Sequence, residues 1–420
     1  MADKLFEPVS ERGIFKNLDV LSPHYVPEEL PHRISEAKNI SRILTPVLRN
    51  EKPNNIFVYG STGTGKTSVV RHVVRELNKI ASNPESNVNK ALIKTVYMNC
   101  RTGYGSKYQV LVRVLTDECL QTEELKKRPL EDRKKKDLAG INPTKLYEKL
   151  KDVVQENNLS LIVILDEIDT VKDIDDLMYT LTRINDDIKG GRVSAIGISN
   201  RSSFKEMLDS RSKSTLCEEE LIFKPYNAHQ LETILKYRVE IGLNSGAISE
   251  GNVKLVAAYA ASTNGDARYA LKLMQKAGEL AESDNRKSIK IEDVKAARTK
   301  VEEDIVSETV KNLPEHQQIV LYSIADLLLK GSQYKRLTEV EKDVVFSGEV
   351  YDHYQKVSKS IHRDPRTIRW FREYLNELEV FGLIILKSSG KGVRGNTTLI
   401  KLGRKPEEIR DIVEITLGLK

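Results

Sequence analysis

Cysteine is scarce in this 420-residue chain: Cys100, Cys119 and Cys217, an odd number, with no Cys-x-x-Cys spacing. That excludes a disulfide framework and a cysteine-based zinc site, and it leaves free thiols in buried positions. No His/Glu spacing of a catalytic metal centre occurs either. Long apolar runs are missing. The run Leu161-Ile-Val-Ile-Leu165 is far short of the ~20 residues a bilayer span needs, so no membrane partner is expected. No apolar signal region follows the opening Met-Ala-Asp-Lys, which points to a cytoplasmic protein. A strong charge imbalance is also lacking. Lys and Arg number 67 against 61 Asp and Glu, a net charge of +6, which permits a nucleic-acid partner without requiring one. Internal repeats and low-complexity tracts are absent, which removes solenoids and fibrous arrays.

What is present is a globular balance, 39% apolar and 30% charged residues, in a chain long enough for two or three cores. After a proline-bearing lead-in, 36–48 reads as a helix and Asn55-Ile-Phe-Val-Tyr59 as a buried strand. Helical periodicity follows over 66–80, then a strand over 93–98 and helices over 110–119 and 146–154. The most strand-like run in the chain is 160–165, with further strands over 193–199 and 220–223. Strands alternating with helices predict a parallel sheet covered on both faces, with right-handed crossovers. From about 226 to 300 the pattern is helical, with apolar stripes at Leu231, Ile234, Leu235 and Val239, at Val253, Val256, Ala257 and Ala260, and at Ala270, Leu273, Met274 and Ala277. A helical linker over 300–312 and three helical segments before a β-rich tail complete the chain. The predicted domains are 1–225, 226–302 and 303–420.

Gly60-Ser-Thr-Gly-Thr-Gly-Lys-Thr67 fits G-x-x-x-x-G-K-[ST], follows an apolar strand and opens a helix. In such a loop the backbone N–H groups of Gly60, Ser61, Thr62, Gly63, Thr64, Gly65 and Ser68 cradle phosphate, helped by the positive end of the helix. Lys66 reaches the β- and γ-phosphates and Thr67 ligates Mg²⁺, so ATP or ADP with Mg²⁺ is the expected ligand. About 100 residues on, the strand 161–165 delivers Asp166 and Glu167 at its C-terminal end, where open parallel sheets place ligands. Asp166 is expected to share the metal, and Glu167 to orient and deprotonate the attacking water.

At the other end, Tyr351, Tyr354, Val357 and Ile361 stripe one predicted helix, and His362-Arg-Asp-Pro365 breaks it. Asp364 is expected to cap the next helix with Pro365 in its first turn. There Ile368, Phe371, Leu375 and Leu378 face inward, with Arg366, Arg369 and Trp370 roughly opposite. Leu383-Ile-Ile-Leu386 and Thr397-Thr-Leu-Ile-Lys-Leu402 flank a glycine-rich basic tip and read as a β-hairpin wing. Arg363, Arg366 and Arg369 around the second helix, with Lys391 and Arg394 at the tip, are the candidate contacts to double-stranded DNA. A winged helix that binds protein instead is the alternative.

A phosphate loop, a strand-end Asp-Glu pair and a helical lid resemble the AAA+ ATPases. Within them the chain resembles the archaeal relatives of the eukaryotic origin-recognition large subunit and cell-division-cycle loader. The likeness runs over nearly the whole chain, through Tyr25-Val-Pro-Glu-Glu-Leu-Pro-His-Arg33, Gly60 to Thr67, Leu165-Asp-Glu-Ile-Asp169, Ile198-Ser-Asn200, Gly265-Asp-Ala-Arg268 and the terminal winged helix. It implies an α/β AAA+ core with a helical lid and a C-terminal winged helix. It also implies base-side contacts from Val26, Pro27 and Arg33, a sensor 1 role for Asn200 beside the attacking water, and a sensor 2 role for Arg268 at the γ-phosphate. Arg211, in Asp209-Ser-Arg-Ser-Lys-Ser214, aligns with the arginine-finger segment that acts on a neighbour's nucleotide. The implied protein is a slow, switch-like ATPase and replication initiator that binds origin duplex DNA at the nucleoid and helps load the replicative helicase, with initiator paralogues as further partners.

Other readings stand beside these. Asn200 also suits a cap for the helix near Ser202, and Arg211 a solvated position. Lys134, Lys135 and Lys136 in the charged segment 121–140 fit a solvated loop as well as a DNA contact. Thr102-Gly-Tyr-Gly-Ser106 sits where a threading motor carries its pore loop, and a DNA-bound transcriptional regulator with a silent nucleotide site is a third possibility.

Overall fold

The computed structural model describes residues 13–22, 25, 27, 29–83, 92–120, 125, 138, 140–201, 203–331, 343–388 and 398–419. The chain divides into two compact units, 1–297 and 298–420. Val26, Lys134, Lys135, Lys136, Lys391 and Arg394 lie outside the described residues.

The first unit is built on five strands, β1 (Ile56–Tyr59), β2 (Leu92–Asn99), β3 (Leu159–Asp166), β4 (Arg192–Ser199) and β5 (Glu219–Ile222). They pair in parallel in the order β2-β3-β4-β1-β5. Because side chains alternate along a strand and both faces are covered, β3 is apolar on both sides. Ile162 and Ile164 join Ile56, Val58, Ile196 and Ile198 in one core, under α1 (Ile34–Leu44) and α2 (Lys66–Ser82). Leu161, Val163 and Leu165 join Phe57, Val96 and Met98 in the other. That second face is covered by α3 (Lys107–Leu115), α4 (Pro143–Glu156) and α5 (Ile174–Asp187). The short helices α6 (Phe204–Met207) and α7 (Ser210–Leu216) precede β5.

Past β5 the unit is helical: α8 (Ala228–Gly242), α9 (Glu250–Thr263), α10 (Ala267–Ser283) and the start of α11 (Ile291–Lys311). Each start has a chemical cause. Asn227 and Gln230 close a capping box on α8, Ser249 caps α9 and Asp266 caps α10. The predicted stripes on α9 and α10 are buried, whereas Ile234 of the α8 stripe is only partly covered and faces a cavity.

In the second unit α12 (Glu315–Lys330), α13 (Ser347–Ser360) and α14 (Ile368–Val380) pack with a three-stranded antiparallel sheet. Its strands are β6 (Val345–Phe346), β7 (Ile384–Ser388) and β8 (Thr398–Leu402), in the order β6-β8-β7. A final helix, α15 (Pro406–Leu417), stands where a β-rich tail was expected to close the chain, and packs Ile409 and Val413 into the same core. The start of α14 differs from expectation. Thr367 is its N-cap, so Asp364 and Pro365 belong to the preceding loop, and Ile368 is 49% exposed rather than buried. The reason lies in Tyr354. Its fully buried hydroxyl meets His316 Nδ1 at 2.9 Å and accepts from the Arg366 backbone N–H at 3.0 Å. Tyr351 donates its hydroxyl to the Arg366 carbonyl at 3.2 Å. Residues up to Arg366 are thereby pinned outside the helix.

Tyr354→Phe keeps the ring packed on Phe371 but removes the acceptor for Arg366 N–H. It is expected to lower the unfolding free energy of the second unit by about 1–2 kcal/mol. Urea titration followed through Trp370, the only tryptophan, measures this; an unchanged midpoint refutes the pinning role.

Candidate functional site

Parallel pairing brings the chemistry-bearing residues to one edge of the sheet. Tyr59 is in register with Ser199, and Asp166 with Ile198 and Asn99, so the loops after β1, β3 and β4 leave at the same level. The loop after β1 is 60–65. At Gly60 the backbone passes so close to Phe223 that a Cβ would lie 2.2 Å from the Phe223 carbonyl oxygen, and φ is +154°. Only glycine fits there. Lys66, at the start of α2, folds back and donates to the Gly60 and Ser61 carbonyls, each at 2.7 Å.

The acidic pair is built by three donors. Thr67 Oγ1 and the Tyr97 hydroxyl donate to Asp166 Oδ2 at 2.8 and 2.7 Å, and Glu167 N–H donates to Oδ1 at 3.0 Å. Burial and the Asp166 charge push the Tyr97 phenol above its ordinary range, so it stays a donor. Glu167 has φ +53°, in the left-handed region that non-glycine residues avoid, a strained placement often found at functional sites. Its side chain is 26% exposed. Hydroxyl, carboxylate and a solvent-reaching acid at one strand end form a donor set that fits a hard, oxygen-seeking cation such as Mg²⁺.

A cavity of about 290 Å³ gathers the predicted residues. Pro27, Arg33, Gly63, Thr64, Gly65, Lys66, Thr67, Ser68, Asp166, Glu167, Asn200 and Arg268 all line it, whereas Gly60, Ser61 and Thr62 form the loop outside its wall. Arg33 lines the cavity and also anchors its loop. Its guanidinium donates to the Thr64 and Lys224 carbonyls at 3.0 and 2.5 Å, pairs with Glu36 at 2.6 Å, and stacks on Tyr226 and Phe223. It ties the phosphate loop to the connection between sheet and lid. Arg211 is not part of this cavity; it is exposed on α7 over the Tyr179 ring. Asn200 is exposed at the cavity, and α6 begins only at Phe204. Tyr104, the central residue of the pore-like stretch, packs partly buried against the core beneath α3.

Ile234, Tyr237, Arg238 and Leu271 also line the cavity and carry no motif. With Tyr25 and Leu30 of the lead-in, Ile234, Tyr237 and Leu271 give the cavity its apolar end. Arg238 is buried there, over the Tyr25 ring and donating to the Val20 carbonyl at 3.0 Å. Tyr97 is the other omission. Its only sequence signal is an aromatic residue near the end of a strand that pairs with β3.

The geometry defines an AAA+ ATPase: a phosphate loop, a strand-end acidic pair and a lid arginine share one cavity, and a winged-helix unit follows. Comparison with known proteins agrees region by region. Residues 29–184 match the AAA ATPase domain, 232–299 the Cdc6 AAA+ ATPase-type lid domain and 308–412 the CDC6 C-terminal winged helix domain. The ORC1-type DNA replication protein of Thermococcus onnurineus is 38% identical over 413 residues, covering 98% of this chain and 93% of that protein. The ORC1-type DNA replication protein 1 of Sulfurisphaera tokodaii is 39% identical over 409 residues, covering 97% and 94%. The Aeropyrum pernix ORC1 protein, solved in complex with DNA, superposes with a TM-score of 0.78 at 34% identity, covering 97% and 98%. The chain belongs to the archaeal ORC1-type DNA replication proteins and is an initiator of that family.

In the second unit, Arg366 and Arg369 are exposed, together with Trp370. Arg363 is half-exposed and pairs with Glu315 at 2.9 Å. Burial, and the positive charges of Arg366 and Arg363, hold His316 below its ordinary range.

Burial pushes the Lys66 ammonium down to about 8, with Asp166 opposing and Arg268 adding to the shift. A bound polyphosphate favours the charged form. Near pH 9 the free side chain is mostly neutral, so nucleotide binding is expected to take up about one proton, and near pH 7 about none. Calorimetry in two buffers of different ionisation enthalpy reads the uptake. Equal proton uptake at both pH values contradicts the placement of Lys66 at the phosphates.

Proposed function

We propose that the chain is a nucleotide-gated initiator: ATP occupancy of the first unit sets the lid, and the second unit grips origin duplex DNA. The observation that carries this is the convergence of Lys66, Asp166, Glu167, Asn200 and Arg268 on one cavity, in a chain whose other unit exposes Arg369 on a recognition-type helix and Arg366 in the loop just before it. The relative from Aeropyrum pernix, alike over 97% of this chain, was solved with DNA. On this reading Thr67 and Asp166 hold Mg²⁺, which when bound neutralises charge on the phosphate oxygens. Glu167 takes a proton from the attacking water, and Asn200 orients that water. Pro27, with the apolar end of the cavity, takes the base. Arg268, on the lid, has more to bind in a triphosphate than in a diphosphate, so nucleotide state biases lid position. Arg211, exposed and away from this cavity, acts on a neighbouring copy's nucleotide on this reading, with a merely solvated arginine as the alternative. Recruitment of the replicative helicase and pairing with paralogues follow from the initiator role.

The packing of Tyr104 against the core favours a switch over a threading motor. Turnover is expected to be about one event per minute or slower, as in unassisted P-loop switches. Lys66→Ala is expected to abolish nucleotide binding and Glu167→Gln to trap bound ATP. Equilibrium binding and single-turnover hydrolysis check both, and rapid hydrolysis by the Glu167 variant refutes its role as base.

On duplex DNA, Arg366→Ala combined with Arg369→Ala is expected to weaken binding. If both arginines neutralise phosphates, the slope of log K against log salt shrinks by about 2. Fluorescence anisotropy across a salt series measures it, and an unaltered slope and affinity remove the second unit from the DNA interface.

A further inference from the structure

Asp266 opens α10 two residues before Arg268, and its carboxylate serves two elements at once. Oδ1 caps the helix, accepting from the N–H groups of Arg268 at 2.6 Å and Tyr269 at 3.3 Å. Oδ2 accepts from Thr62 Oγ1 at 3.1 Å, across 204 residues of sequence and from the middle of the phosphate loop. A backbone bond runs alongside, Ala267 N–H to the Gly63 carbonyl at 3.2 Å. Asp266 is only 8% exposed. The fit is close enough to dictate the loop's composition. A Cβ on Gly63 would lie 1.6 Å from Asp266 Oδ1, at a position the phosphate-loop pattern leaves variable, and φ there is +65°. Behind the cap, a Cβ on Gly265 would lie 2.5 Å from the Tyr226 carbonyl oxygen, and Tyr226 N–H donates to the Gly265 carbonyl at 3.1 Å. The first turn of α10 is therefore held between the phosphate loop on one side and the connection after β5 on the other.

We infer that Asp266 and Thr62 form a latch that fixes where the Arg268 guanidinium starts, and that this latch sets how well the lid tells triphosphate from diphosphate. The inference rests on the nucleotide-gated reading above and deepens it. Asp266 acts through Arg268 and the loop, so it is a positioning residue. Its helix-cap bonds hold the Arg268 backbone, and its bond to Thr62 holds that turn against the phosphates. The charges are ordered to match: the lid presents an anion to the loop hydroxyl and, two residues on, a cation to the cavity. Without the latch the arginine samples more positions, and ordering it on the γ-phosphate costs more entropy.

The test is the ratio of triphosphate to diphosphate affinity in the full-length chain, measured by titration with a non-hydrolysable ATP analogue and with ADP. Thr62→Val replaces the hydroxyl with a methyl group of the same shape. The ratio is expected to fall about fivefold, the worth of one hydrogen bond. Thr62→Ser restores the donor and is expected to restore the ratio, which a merely structural role for the methyl group does not predict. Asp266→Asn keeps both acceptor functions on one oxygen at most, so its ratio falls between wild type and Asp266→Ala. In an Arg268→Ala background Thr62→Val is expected to change the ratio less than twofold, because nothing is left to position. An unchanged ratio in Thr62→Val, or an undiminished effect without Arg268, overturns the latch. Failure of the wild-type chain to bind either nucleotide is a separate outcome, and it overturns the reading of the site itself.

Discussion

Asp166 Oδ2 is the point at which three elements agree. It accepts from Thr67 at the start of α2 and from Tyr97 on β2, while its own backbone ends β3. Parallel pairing delivers these groups at one level, because strands in parallel register all point their C-terminal ends the same way. If β3 slipped by one residue, its two apolar faces would exchange and the carboxylate would leave the site. The double-sided core around Ile162, Val163 and Ile164 therefore does more than stabilise the sheet. It holds the acidic pair in register with the phosphate loop.

Around that point the connections between sheet and lid are polar and directional. Arg33 bonds the Thr64 and Lys224 carbonyls, and Arg238 bonds the segment before Tyr25 to α8. Both guanidiniums are buried, and both spend their donors on backbone oxygens rather than on carboxylates alone. Fixed donors of this kind define angles, which apolar packing does poorly. The cavity wall is thus fixed by Arg33 beside the phosphate loop and by Arg238 beside Tyr25, with aromatic and aliphatic surface between them at Tyr237, Ile234 and Leu271.

Much of this was legible in the residues. The parallel sheet, the helical lid and the helix-turn-helix follow from periodicity, and the phosphate loop and acidic pair from spacing. The parts that were not legible share a cause: they depend on contacts between distant segments. The start of α14 at Ile368 is set by the Tyr354 hydroxyl, where local chemistry pointed to Asp364 and Pro365. Arg33 carries a family motif, yet its role is fixed by Lys224 and Tyr226, nearly two hundred residues away. Helix α15, by contrast, was legible and was passed over: Ile409, Ile412, Val413 and Leu417 recur at helical spacing behind Pro406, and all four pack on the core. Tyr97 matters for its hydroxyl, and one aromatic at a strand end gives no pattern to read.

The left-handed backbone at Glu167 has an evolutionary corollary. A residue with a Cβ in that conformation costs roughly 1 kcal/mol or more, whereas glycine or asparagine adopts it readily. Selection for robustness alone would drift this position toward one of those two. An acid with a Cβ stands here instead, so backbone comfort and a carboxylate at the strand end pull in opposite directions at this one residue.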